Sequence, residues 1–131
     1  TLIFGRTDFL LYLCQRKLEI MKIKIYTGVT AEPKKGLFDD LHPKFQIFNF
    51  RQLIEQGEDF ELTTNSDFII RELNYFITEG IIKTEDVEFF EDGVKIEASD
   101  SGFESISIDA VIEEQNIRCE ESYYNMKYGN T

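Results

Sequence analysis

The sequence predicts an α/β fold: a small, partly parallel sheet with flanking helices, a C-terminal β-hairpin and a final helix. Three observations predict it. The spacing of apolar residues switches along the chain between a period of two, as on strands, and a period near 3.6, as on helices. The first two strand-like runs, near 22–26 and 59–63, are separated by a helical stretch. That is a normal crossover between parallel neighbours. Near the C-terminus, Glu91-Asp92-Gly93 sits between two short strand-like runs, where Asp-Gly supplies the positive φ of a tight hairpin.

The elements follow in order. Residues 8–19 read as a helix capped by Asp8, with Phe9, Leu10, Leu13, Cys14 and Leu18 on one face. From Lys22 the period changes to two, with Ile23 and Ile25 alternating with Lys22, Lys24 and Tyr26 as in a half-buried strand. Residues 30–40 contain Pro33, Gly36 and mixed charge, and read as a loop. From Pro43 a helix runs over about 44–56 on Phe45, Ile47, Phe48, Phe50, Leu53 and Ile54, ended by Gly57. A short strand covers 60–64. Asn65 or Ser66 then caps a helix through Phe68, Ile69, Ile70, Leu73, Phe76 and Ile77, closed by Glu79-Gly80. Strands at 87–90 and 94–97 form the hairpin. Ser107 or Asp109 starts the last helix, whose face carries Ile108, Val111, Ile112, Gln115, Cys119 and Tyr123. There is no internal repeat and no linker, so residues 1–131 read as a single domain. Thr1 is not a methionine, and Met21 opens the first strand. Residues 1–20 therefore read either as part of a longer protein or as a segment ahead of the natural start.

Composition narrows the function. Twelve Phe and six Tyr in 131 residues supply the buried area that a packed core requires. The net charge is −11 and unevenly placed. Residues 1–58 carry nine basic and seven acidic groups, whereas 59–131 carry five and eighteen. Direct binding to nucleic acid or to an anionic membrane is not expected of such a surface. Two cysteines far apart, Cys14 and Cys119, make no disulfide framework and read as buried thiols in a reducing cytoplasm. A single histidine excludes a Cys/His metal cluster, and no metal site is expected. The longest apolar run, residues 9–14, is six residues, far below a membrane span. No G-x-x-x-x-G-K-[ST] phosphate loop and no nucleophile elbow occurs.

Two segments go further. One is Leu41-His42-Pro43-Lys44-Phe45-Gln46; the other is Leu62-Thr63-Thr64-Asn65-Ser66-Asp67, a strand breaking into a helix. In this order, about 20 residues apart, they resemble the C-terminal part of ABC-type ATP-binding heads of the SMC, RecF and OLD nuclease kind. That family carries an L-H-P-x-x-Q element after its Walker B strand and a T-T-H-S-type strand end with a switch residue. The hairpin and the ending at Ser107-Ile108-Asp109 through Tyr123-Tyr124 are similar to its tail, so the resemblance covers 41–124. It implies an AAA-type, P-loop ATPase fragment, with Asn65 in the switch position, His42 and Glu32 as catalytic residues and Ser66 at the nucleotide. Ala31-Glu32-Pro33 stands where the family has Asp-Glu-Pro, so the Mg²⁺-holding aspartate is replaced by Ala31, and Asp39 or Asp40 are alternative acids.

The resemblance thus implies an incomplete head, inactive alone and needing a partner chain or an upstream segment that brings the phosphate loop. ATP and Mg²⁺ are its cofactors only then, and the isolated chain has none. The alternative is a small acidic interaction or inhibitor/immunity-type protein docking on a basic partner. On the first reading, His42 and Asn65 lie on one edge of the sheet. The Asn65 side chain is then free or capping the next helix, and acidic residues of 85–121 stay away from that edge.

Overall fold

The computed structural model describes residues 21–30 and 36–129. The expected helix over 8–19 and the catalytic expectation for Glu32 lie outside the described residues. Within them the order is strand β1 (Ile23–Thr27), helix α1 (Pro43–Gln56), strand β2 (Phe60–Thr63), helix α2 (Asp67–Thr78), a 3-10 turn at Thr84–Asp86, strands β3 (Val87–Glu91) and β4 (Val94–Ile96), and helix α3 (Ile106–Tyr128).

The four strands form one mixed sheet in the order β2-β1-β3-β4. β1 pairs in parallel with β2, Ile25 opposite Leu62, and in parallel with β3, Ile25 opposite Phe89. β3 and β4 pair antiparallel through the turn at Asp92 (φ 51°) and Gly93 (φ 82°), positive angles that the Asp-Gly pair tolerates. The α/β class, the parallel neighbours joined by a helix and the hairpin are therefore as the sequence predicts.

Alternation along β1 decides the layering. Ile23, Ile25 and Thr27 are buried, and Lys24 and Tyr26 between them turn to the other face. α1 and α2 cover the first face, where Phe50, Ile54, Ile69, Leu73 and Phe76 join Leu62, Val87 and Phe89 in one core. The second face is polar and half-exposed: Tyr26 stacks on Phe90 at 5.4 Å and donates from its hydroxyl to Glu61.

Three details differ from the sequence reading. α1 buries Gln46, Phe50 and Ile54, an i, i+4, i+8 line, while Phe45 is exposed. Six apolar residues in that stretch leave several faces equally apolar, and only docking on β1 and β2 selects one. α3 starts at the cap Ser105, ahead of both Ser107 and Asp109, and buries no residue. Cys119 on that helix is free and exposed rather than buried. No described helix is long and apolar enough to cross a membrane.

Candidate functional site

Parallel strands send their carboxyl ends to one edge. Here the chain leaves β1 for β2 on one side and returns to β3 on the other. Crevices at such a switch point are where open α/β sheets take ligands. The ends of β1, β2 and β3 and the first turn of α1 meet there.

Asn65 stands at the centre, one residue beyond Thr64, whose N–H still donates to Tyr26 O on β1 at 2.9 Å. The Asn65 side chain is neither free nor a helix cap. Its Oδ1 accepts Thr27 Oγ1 and Gly28 N, both at 2.8 Å, and its Nδ2 donates to Gly28 O at 3.4 Å. It therefore ties the end of β2 to the end of β1. The helix cap is Ser66, whose Oγ accepts Ile69 N at 3.4 Å and donates to Gln46 Oε1. The sequence reading left Asn65 and Ser66 both open as caps. Geometry separates them, because β1 supplies Asn65 with stronger partners than the helix N-terminus does.

Gln46 is the hub of this edge. It is 6% exposed, and its Nε2 donates to Asp39 O at 3.1 Å and Leu41 O at 2.9 Å while its Oε1 holds Ser66. The glutamine of L-H-P-x-x-Q is thus bonded to the serine of T-T-N-S. Asp39 completes the join: Oδ1 accepts the buried Thr64 hydroxyl at 2.6 Å and Oδ2 accepts Asn65 N at 2.8 Å. The sequence gives Gln46 only as the end of the L-H-P-x-x-Q element and Asp39 only as an alternative acid in the loop over 30–40. The signal for Gln46 was its i, i+4 spacing to Phe50 and Ile54; nothing local announces Asp39.

His42 lies on the same edge, at the start of α1, and is exposed. Its Nδ1 accepts Lys44 N at 3.1 Å, which makes it the N-cap, and no hydrogen bond joins it to Asn65.

The expectation that acidic residues of 85–121 keep clear of this edge fails at Glu91 and Asp92. Asp92 Oδ1 accepts Thr30 N at 2.7 Å and Thr30 Oγ1 at 2.8 Å, and so clasps the loop after β1. Gly28, at φ 110°, lets that loop pass: a Cβ there would stand 2.9 Å from Asp92 N. Glu91 accepts Ser105 Oγ at 2.6 Å and Ser107 N at 3.3 Å, an anion against the N-terminus of α3. The parallel pairing of β1 with β3 brings both acids to the edge, which their sequence distance conceals.

The Thr30 backbone N–H, followed by its hydroxyl, holds the Asp92 carboxyl below its ordinary value. A depressed folded-state value stabilises the fold above the unfolded value, and that stability is lost as pH falls through the folded one. Wild type is therefore expected to lose more stability than Asp92→Asn when denaturation is compared between pH 6 and the acid side of the carboxylate range. Parallel losses in the two proteins would show that the clasp is not charge-dependent.

Two hollows flank Asn65. One, of about 240 Å³, lies between Asp39, Gln46, Ser66 and Phe68. The other, of about 290 Å³, lies between Val29, Ser107, Ile108 and Ile112. Asn65 and Ser66 spend their polar side-chain atoms on the chain itself, His42 spends Nδ1, and the neighbouring Asp39 and Asp92 are anionic. These residues alone do not make a triphosphate site, which needs converging donors. No protein-family model, curated protein or solved structure matches this chain.

Proposed function

We propose that the chain is the switch-bearing part of an ABC-type ATP-binding head, inactive alone and completed by a segment or partner that brings the phosphate loop. One observation carries the reading. The L-H-P-x-x-Q and T-T-N-S elements, which suggest it in sequence, are hydrogen-bonded to each other at the carboxyl edge through Gln46–Ser66, and Asp39, just ahead of the first element, accepts from Thr64 of the second.

In this reading ATP and Mg²⁺ arrive with the completing segment, and the charge stabilisation of phosphoryl transfer is theirs. This chain holds Asn65 in place. Its Oδ1 keeps two short bonds to Thr27 and Gly28, whereas the Nδ2 contact to Gly28 O is long at 3.4 Å. Nδ2 is thus the donor released at least cost, toward a γ-phosphate or an attacking water. His42 starts the helix that carries Gln46, and Ser66 fixes the next. The reading implies a cytoplasmic setting.

The purified chain with ATP and Mg²⁺ is expected to show no turnover. Expressed as one polypeptide with the sequence encoded upstream of Thr1, it is expected to hydrolyse ATP, with a loss of about a hundredfold or more in Asn65→Ala. Turnover by the chain alone that vanished in Asn65→Ala would refute incompleteness. A longer polypeptide that neither binds nor hydrolyses ATP would refute the head assignment itself.

A further inference from the structure

α3 is two-sided. Successive helix positions turn by about 100°. Ile108 and Ile112, half-buried, face the body. On the opposite side Ile106, Ile117, Tyr124 and Tyr128 fall within an arc of about 40°. They are 68%, 47%, 63% and 63% exposed. The last two rings lie 4.8 Å apart, so the stripe ends in an aromatic pair. Lys127, whose Nζ lies 5.6 Å from the Tyr128 ring, stands at the end of one side; along that side lie Glu113 and Glu120, and along the other Glu114 and Glu121. All four are exposed, and no ion pair engages them among the described residues.

Every residue from Glu113 to Gly129 is exposed. A helix in water owes most of its stability to a buried apolar face, and this stretch buries none. Exposed tyrosines beside apolar side chains are a composition that interface centres favour. Among the described residues none covers the stripe, which points away from the core.

We propose that this outer face of α3 docks a basic amphipathic helix of a partner protein, its apolar stripe on Ile117, Tyr124 and Tyr128 and its Lys or Arg residues against the four glutamates. The charge pattern selects this occupant. A second copy of the chain brings the same four glutamates and the single Lys127 against these, and the excess of like charge opposes pairing. Nucleic acid and anionic membrane carry the same sign and are repelled. A cationic helix gains at both flanks while covering the stripe, in the helix-on-apolar-face mode of recognition. The stripe is roughly 33 Å long, which matches a partner helix of about twenty residues or more.

The test uses the full chain and a fluorescein-labelled synthetic peptide of about twenty residues, Leu on one helical face and Lys on the other. Its controls are a peptide of the same composition in scrambled order and the Ile117→Ser/Tyr124→Ser double variant. Both variant positions are exposed, and circular dichroism confirms the variant's fold. The patterned peptide is expected to bind one to one. The affinity should be about tenfold lower or worse for the scrambled peptide and for the double variant. In Glu114→Gln/Glu121→Gln the dependence of affinity on salt should be shallower. Equal binding of patterned and scrambled peptides overturns the proposal, because charge alone then explains it. So does unchanged binding to the double variant, which puts the contact elsewhere. Self-association of the free chain that disappears in the double variant also overturns it, in favour of a second copy.

Discussion

Phe50→Ala is expected to lose about 3–5 kcal/mol of unfolding free energy, the usual range for emptying a fully buried phenylalanine site. Phe50 is 0% exposed and stands where three elements meet. Its ring lies 6.4 Å from Phe76 of α2 and packs edge-on at 6.2 Å against Phe60 of β2, from its own place on α1. Neither helix nor strand can close a hole at that point without losing its own register. Domains of this size are stable by about 5–15 kcal/mol in total, so the variant sits near the limit of folding. The chain has no tryptophan, so urea denaturation followed by far-ultraviolet circular dichroism is the practical measurement. A loss below about 1 kcal/mol would place Phe50 at a site that collapses easily, contrary to its position between α1, α2 and β2.

Asp39→Ala is expected to lose about 2–3 kcal/mol, because it removes a charged acceptor from two donors at once. The Thr64 hydroxyl is the costlier of them, being 0% exposed, whereas Asn65 N can turn to water. The change should be read at two places. Chemical denaturation gives the stability, and the backbone amide resonances of Thr64, Asn65 and Ser66 should move together, since Asp39 joins the loop before α1 to the end of β2 through both side-chain oxygens. Asp39→Asn keeps the shape but brings an amide nitrogen where a second acceptor is needed, so it should recover only part of the loss. A stability change within about 0.5 kcal/mol, the range of an ordinary surface substitution, would mean that the loop is not anchored there.

The other expectations rest on the same edge of the sheet. The acid-limb difference in Asp92→Asn concerns the clasp on the loop after β1. The absence of turnover by the chain alone concerns Asn65 and the phosphate loop that this sequence does not contain.

By itself the sequence determined the elements and their pairing class. Ile23 and Ile25 alternating with Lys22 and Lys24 define a half-buried strand, Asp92-Gly93 defines a tight turn, and Gly57 ends α1 where the helical period stops. These are local signals, set by backbone preference and by a periodicity that neighbouring residues carry together. The sequence also brought His42 and Asn65 to one edge, since topology alone puts the ends of parallel strands there. Tertiary structure alone decided what each polar side chain does. Asn65 became a tie to β1 because Thr27 and Gly28 stand 37 or more positions away in sequence and 2.8 Å away in space. Ser66, not Asn65, took the helix cap. Asp39, read as a loop acid, and Asp92, read as a hairpin-turn residue, became clasps across separations of 26 and 62 residues. The face that α1 buries and the outward aim of α3 likewise belong to packing. Hydrogen bonds reach only about 3 Å and depend on which strands adjoin, and strand order is a property of the folded sheet that no local window of residues records.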